Sequence, residues 1–216
     1  MTARGPVRWG AVLLALVLLC GCQSAYYAAW EKLGKEKRHL LKDEVGKVRA
    51  EQAEAADGFE DVLTRIKALY GLQGGDLEKV YDRLKDDYER SRERAEAVDD
   101  RIGKVKRIAA DLFQEWSDEI GKMENENLKE KSRRSLSEAR RRFARLDQAM
   151  DRARSSMQPV LIHLRDYVLY LKHNLNARAV GALGGEVRDI EAEVATLVAD
   201  MGRSVREAET FLREFE

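Results

Sequence analysis

The chain has 216 residues, with 39 basic and 39 acidic side chains, 15 Gly and 2 Pro. That length allows one domain or two small ones, and a Gly- and Pro-poor composition favours long helices over sheets. At 44% apolar residues the chain is too hydrophobic for typical disorder, and zero net charge offers no global attraction to nucleic acid.

Arg4 and Arg8 precede Ala11–Leu19, an uncharged apolar run of nine residues. A membrane crossing takes ~20 residues, so the run fits the apolar centre of a secretory signal. Cys20 and Cys22 are too close together to form a disulfide framework across a fold. The stretch Leu19-Cys20-Gly21-Cys22 resembles a bacterial lipobox, with Cys22 in the acceptor place behind the small Gly21. Acceptance at Cys20 would require cleavage after bulky Leu19, and Cys20 itself stands where a small or β-branched residue is usual. The resemblance implies that residues 1–21 are a lipoprotein signal and that Cys22 is acylated and becomes the mature N-terminus. The ordinary alternative is a secretory signal with an incidental Cys.

One acyl chain anchors marginally and two or more anchor stably. Gln23 and Ser24 follow Cys22, where Asp commonly marks inner-membrane retention in Gram-negative lipoproteins. The expectation is a chain anchored to the outer membrane and facing the periplasm. Residues 22–216 then carry 37 basic and 39 acidic side chains, because Arg4 and Arg8 leave with the signal. Tyr26, Tyr27 and Trp30 lie within eight residues of Cys22. They suit a membrane interface or the open end of a bundle.

Apolar residues then recur at steps of three and four. A first run passes through Val45, Val48, Gln52, Ala55, Phe59, Val62, Ile66 and Leu69. Gly71, Gly74 and Gly75 end it, and Asp76 is placed to cap the next helix. A second run goes from Leu77 to Met123 by way of Tyr88 and Leu112, and Glu124 to Asn127 break it. The third goes from Leu128 to Met157, where Pro159 is expected to kink or interrupt it. It resumes through Leu161, Leu164, Val168, Leu171 and Leu175 until Gly181, Gly184 and Gly185. The last passes from Val187 through Val205 to Phe215. Steps averaging 3.5 mark a coiled coil or long bundle, and short breaks make neighbours antiparallel. The reading is all-α, a single domain over 22–216. It is an elongated antiparallel bundle or coiled coil of about four long helices, the third kinked near Pro159. Closure within one chain is favoured over zipping between chains.

Support for chemistry is thin. Bundle di-iron sites need two Glu-x-x-His pairs, and the chain offers only Glu36-Lys-Arg-His39. His163, Asp166, Tyr170 and His173 step by 3, 4 and 3 and would share one stripe of acid-base or metal-competent groups. One stripe closes no site without a facing helix, and a polar band beside the apolar one is the plainer reading. No Ser-centred elbow, Cys nucleophile, phosphate loop or HExxH motif is present. No metal, cofactor or catalytic residue is assigned, and a cell-wall hydrolase is the least supported class.

Two segments suit binding. Residues 129–145 hold Lys129, Lys131, Arg133, Arg134, Arg140, Arg141, Arg142 and Arg145 against Glu130 and Glu138. Such a block meets anionic lipid or an acidic partner, or pairs internally with Asp82, Asp86, Asp87, Glu89 and Glu93. Tyr167 to Ala179 is dense in aromatics, amides and cations. Asn174 and Asn176 are poor helix-interior residues. Lys172, His173, Asn174, Asn176 and Arg178 therefore form a candidate interaction epitope, the alternative being an Asn-capped helix end.

Cys22 to Tyr27, Gly74 to Lys79 with Tyr81, Leu112 to Trp116 and Val168 to Ala179 (VLYLKHNLNARA) together resemble the bacterial lipoprotein family called domain of unknown function 2959. The resemblance spans essentially all of 22–216. It implies a Gram-negative envelope lipoprotein of helical, coiled-coil character and brings no activity or site residue. The expected role is a non-enzymatic scaffold or interaction protein, attached to the membrane through Cys22. Its partner would be another envelope protein or a second copy, and not nucleic acid. The alternative is a bundle that binds a small ligand, lipid or metal in its core.

Overall fold

The computed structural model describes residues 37–69, 77–174 and 187–214. They form four helices, α1 (Lys37–Leu69), α2 (Leu77–Lys122), α3 (Glu126–His173) and α4 (Val187–Glu214). Among the described residues only 123–125 and 174 lie outside a helix, so the fold is an all-α bundle. The chain divides into two units, Met1–Leu41 and Lys42–Glu216, and the helix packing below is that of the second.

Ion pairs set the order and direction of the helices. Arg65 grips Asp87 with two bonds of 2.9 Å, and Arg101 reaches Glu51 at 2.7 Å, so α1 and α2 run antiparallel. Lys106 bridges to Asp147 and Asp151 at 2.9 and 2.8 Å, and Arg154 meets Asp99 at 3.0 Å, which joins α2 to α3. His163 and Arg142 reach Glu193 and Glu214 at 2.8 and 3.2 Å, joining α3 to α4. Lys67–Glu191 at 2.6 Å and Arg49–Glu209 at 3.6 Å close the ring from α4 back to α1. Each helix is antiparallel to both neighbours. Apart from Arg65–Asp87, whose carboxylate is buried, and His163–Glu193, whose facing atoms are cut off from solvent, these pairs are at least partly open to solvent and each worth about 0–1 kcal/mol. Their effect is on register, and the apolar seam supplies the stability.

That seam keeps strict four-three steps. In α1 it is Val45, Val48, Gln52, Ala55, Phe59, Val62 and Ile66, all buried as the sequence predicts. In α4 it is Ile190, Val194, Leu197, Met201, Ser204, Ala208 and Phe211. The sequence reading chose Val205, yet the fully buried residue is Ser204, because the four-three alternation runs 197, 201, 204, 208.

In α3 the alternation continues unbroken past Pro159 as Met157, Val160, Leu164, Tyr167 and Leu171, all buried. Pro159 lies inside a helix that extends to His173. It removes one backbone donor, that for the Ser155 carbonyl, without interrupting the helix. Leu161, placed in the seam by its apolarity, is only half-buried.

The break at 123–125 is a tight antiparallel turn. Asn125 is the N-cap of α3, its Oδ1 accepting from the Leu128 N–H at 3.1 Å. Leu128, read as the first seam residue, is 56% exposed. The glycine-rich breaks at 71–75 and 181–185, Asp76, Leu175 and Phe215 lie outside the described residues. The residue before Pro159 and the seam partners around it are instead well inside α3.

Polar groups also enter the core. Glu44 is buried, with Lys47, Lys104 and Arg101 donating to it at 2.8, 3.0 and 3.3 Å. Burial pushes its carboxyl up, but the lysine hydrogen bonds and charges outweigh this and hold it below the ordinary glutamate range. Gln52 and Ser204 are fully buried, and neither Gln52 amide atom nor the Ser204 hydroxyl has a hydrogen-bond partner among the described residues. The register of Arg49 with Glu209 sets them at one level of the bundle. A polar residue at a seam position fixes register at a cost in stability. Gln52→Leu should therefore raise the unfolding free energy by about 1–3 kcal/mol, read from urea unfolding followed by circular dichroism. A loss of similar size would mean that the Gln52 amide is hydrogen-bonded in solution.

Candidate interaction surface

The C-terminal third of α3 carries the side chains singled out from the sequence. Its inward stripe is Val160, Leu164, Tyr167 and Leu171. The opposite phase presents Ile162, Asp166, Leu169 and His173 to solvent, flanked by Arg165, Tyr170 and Lys172. Ile162 is 44%, Leu169 53% and Tyr170 39% exposed. These three and Leu128 are the exposed large apolar side chains of the described residues. Three of the four therefore lie within nine positions of one helix.

The stripe adjoins a groove of about 520 Å³ between α2 and α3. Its apolar side includes Ala95, Met157 and Leu161, and Ile162 belongs to both groove and stripe. The rim is charged and internally paired, Arg92 with Glu89 at 2.8 Å and Arg154 with Asp99 at 3.0 Å. An apolar floor with a satisfied polar rim is the build of a protein interface. The exposed apolar stripe was not read from the sequence. Its signal was available in the phase opposite to the seam.

Of the predicted epitope, Lys172, His173 and Asn174 are exposed. Asn174 is the C-cap of α3, its backbone N–H donating to the Leu171 carbonyl at 3.1 Å and its Nδ2 to the Tyr170 carbonyl at 2.9 Å. Its polar groups thus terminate the helix, as the capping alternative requires. Lys172 and His173 sit in the last turn, where a cation is favoured by the helix dipole. Asn176 and Arg178 lie outside the described residues, as do Cys22, Tyr26, Tyr27 and Trp30.

The core-site alternative drawn from His163, Asp166, Tyr170 and His173 is corrected by the geometry. Asp166, Tyr170 and His173 face solvent. Only His163 turns towards a neighbour, with Nδ1 2.8 Å from Glu193 Oε2 on α4. Both atoms are cut off from solvent, and despite their closeness neither makes a well-aligned hydrogen bond among the described residues. The ring also stacks on Tyr167 at 6.4 Å and 14°. The facing helix thus supplies a partner for His163 but no ligand set. Among the described residues no group of three His, Cys, Asp or Glu is placed to hold a metal ion.

The basic block also differs from expectation. Asp87 pairs with Arg65 and Arg90, and Glu89 with Arg92. Antiparallel packing puts these acids at the end of α2 remote from residues 129–145. The block instead pairs along its own helix, Lys129 with Glu126, Arg134 with Glu130 and Arg142 with Glu138, and Arg142 and Arg145 also reach Glu214.

A family model described as protein of unknown function, DUF2959, matches residues 26–215. The chain belongs to the DUF2959 family. The match takes in all four helices, so the seam, the exposed stripe and the basic block are features of a DUF2959 domain. Comparison with curated proteins and with solved structures gave no significant match. The description of DUF2959 names no activity, substrate or partner.

Proposed function

We propose that this DUF2959 protein is a lipid-anchored, periplasm-facing bundle of the outer membrane that acts as a non-enzymatic scaffold for another envelope component. The observation that carries the interaction role is the exposed trio Ile162, Leu169 and Tyr170 beside the α2–α3 groove. Exposed apolar clusters on soluble domains mark binding surfaces. The anchoring half of the proposal is supported by the lipobox-like Leu19 to Cys22. No helix of the described residues is long and apolar enough to cross a membrane, and an anchored chain does not need one.

The test is affinity capture from crosslinked, detergent-solubilised membranes. The baits are the wild type and a variant with Ile162→Ser, Leu169→Ser, Lys172→Ala and His173→Ala. These side chains are all exposed, so helicity should hold. Capture of a defined envelope protein should fall at least tenfold, the loss expected when two hot-spot contacts of about 1 kcal/mol or more each are removed. Undiminished capture by a folded variant would remove this surface from the proposal.

A further inference from the structure

The basic block holds three arginines that no carboxylate among the described residues neutralises. Arg133, Arg140 and Arg141 line a cleft of about 470 Å³ between α2 and α3, together with Ser117, Ser137 and Leu136, and no carboxylate lines it. None of the three forms an ion pair among the described residues, although Arg140 donates to the Phe113 carbonyl at 3.3 Å and Arg141 to Ser137 Oγ at 3.1 Å. Of the eight acids in residues 111–145, six are engaged elsewhere, and the other two, Glu119 and Glu124, do not line the cleft. Glu126, Glu130 and Glu138 bond Lys129, Arg134 and Arg142, and Asp118 accepts from Gln114 at 2.9 Å. Asp111 and Glu115 are also engaged. Residues 111–145 as a whole hold nine basic and eight acidic side chains, so any attraction is local to this cleft. Three guanidinium groups and two hydroxyls offer only donors from the arginines, in the planar forks that fit a phosphate oxyanion.

The position of the cleft indicates where that phosphate comes from. Arg142 pairs with Glu214, and Lys42 and Arg213 line one shallow pocket. The cleft therefore lies at the end of the bundle where α1 enters the unit at Lys42. Cys22 is twenty residues before Lys42 in the chain. A tether entering at this end holds it at the highest effective concentration against the surface to which the tether is fixed.

We propose that Arg133, Arg140 and Arg141 bind the headgroup phosphates of anionic phospholipid and dock this end of the bundle on the bilayer. The proposal rests on acylation of Cys22. The attraction is short-ranged and salt-sensitive.

The test uses the full-length chain, processed in cells, with Trp30→Phe so that Trp116 is the one tryptophan after Cys22. Trp116 donates to Ser132 Oγ at 2.9 Å, beside the cleft. In vesicles of phosphatidylethanolamine and phosphatidylglycerol containing a headgroup spin label, Trp116 fluorescence should be quenched. In phosphatidylcholine vesicles it should not. Arg133→Gln, Arg140→Gln and Arg141→Gln together should lower the docked-to-undocked ratio about a hundredfold, at roughly fivefold per charge. The exposed Arg107, Arg188 and Arg206, changed together to Gln, give the same net charge and should leave docking intact.

Equal quenching on phosphatidylcholine, or undiminished quenching in the cleft variant, would overturn the proposal. So would release by inorganic phosphate at constant ionic strength, which would make the cleft a site for free phosphate. Flotation with phosphatidylcholine vesicles reports the anchor separately. A chain that does not float refutes acylation, and with it this proposal. A floating chain with unquenched Trp116 on anionic vesicles refutes the cleft alone.

Discussion

Phe211→Ala is expected to lower the unfolding free energy by about 3–5 kcal/mol, the usual cost of emptying a buried phenylalanine site. Phe211 is 2% exposed and closes the seam of α4. Its ring meets Phe143 of α3 edge to face at 5.9 Å and 68°, and Phe143 meets Phe113 of α2 at 5.7 Å and 72°. The three rings lock three helices at one level, and aromatic pairs of this geometry add about 0.5–1.5 kcal/mol beyond area burial. The melting temperature should drop by roughly 10 °C, given 2–4 °C per kcal/mol for a chain of this size. Leu128→Ala is the contrast, since at 56% exposure it should change stability by less than about 0.5 kcal/mol. Thermal and urea unfolding of the two variants would decide. Equal effects would contradict the assignment of Phe211 to the core and Leu128 to the surface.

The second large effect is on location. Cys22→Ala should move the chain from the membrane fraction to the soluble fraction or leave it unprocessed. Under the proposed acylation, two or more acyl chains would hold the wild type far beyond the marginal binding of one, and no helix of the described residues offers an alternative crossing. Fractionation by detergent extraction and immunoblotting measures this. A Cys22→Ala chain that stays in the outer-membrane fraction at wild-type level would contradict the anchor.

Much of the fold was legible because one physical constraint, burial of an apolar stripe, writes a 3.5-residue period into the chain. The whole α1 seam from Val45 to Ile66 follows it. Where the reading failed, it followed apolarity in preference to phase. Apolarity points to Val205 over Ser204 and to Leu161 over Val160, although strict alternation passes through the second of each pair; Val168 is buried as the sequence predicts, with Tyr167 buried beside it. In α2 the alternation also favours Asp87 over Tyr88, and Asp87 is buried because Arg65 arrives from another helix to neutralise it. A straight helix drifts relative to a seven-residue repeat. The longer steps from Ser91 to Ala95 and from Ala109 to Phe113 absorb that drift, so Phe113 is buried and Leu112 only partly.

The candidate surface was less legible, for a different reason. Lys172, His173 and Asn174 stood out by composition, and the cap at Asn174 follows from local chemistry. The exposed trio Ile162, Leu169 and Tyr170 becomes visible only once the inward phase of α3 is fixed, and the groove needs α2 beside it. That Arg133, Arg140 and Arg141 meet no carboxylate among the described residues depends on which acids antiparallel packing brings near. Helix periodicity alone does not carry that information.

The most direct test of the central claim is the intact mass of the chain purified from membranes, with a peptide map of its N-terminus. A chain beginning at Cys22, and heavier than its sequence by a diacylglyceryl group and an amide-linked acyl chain, is the predicted result. A chain beginning elsewhere, or carrying an unmodified Cys22, would contradict it.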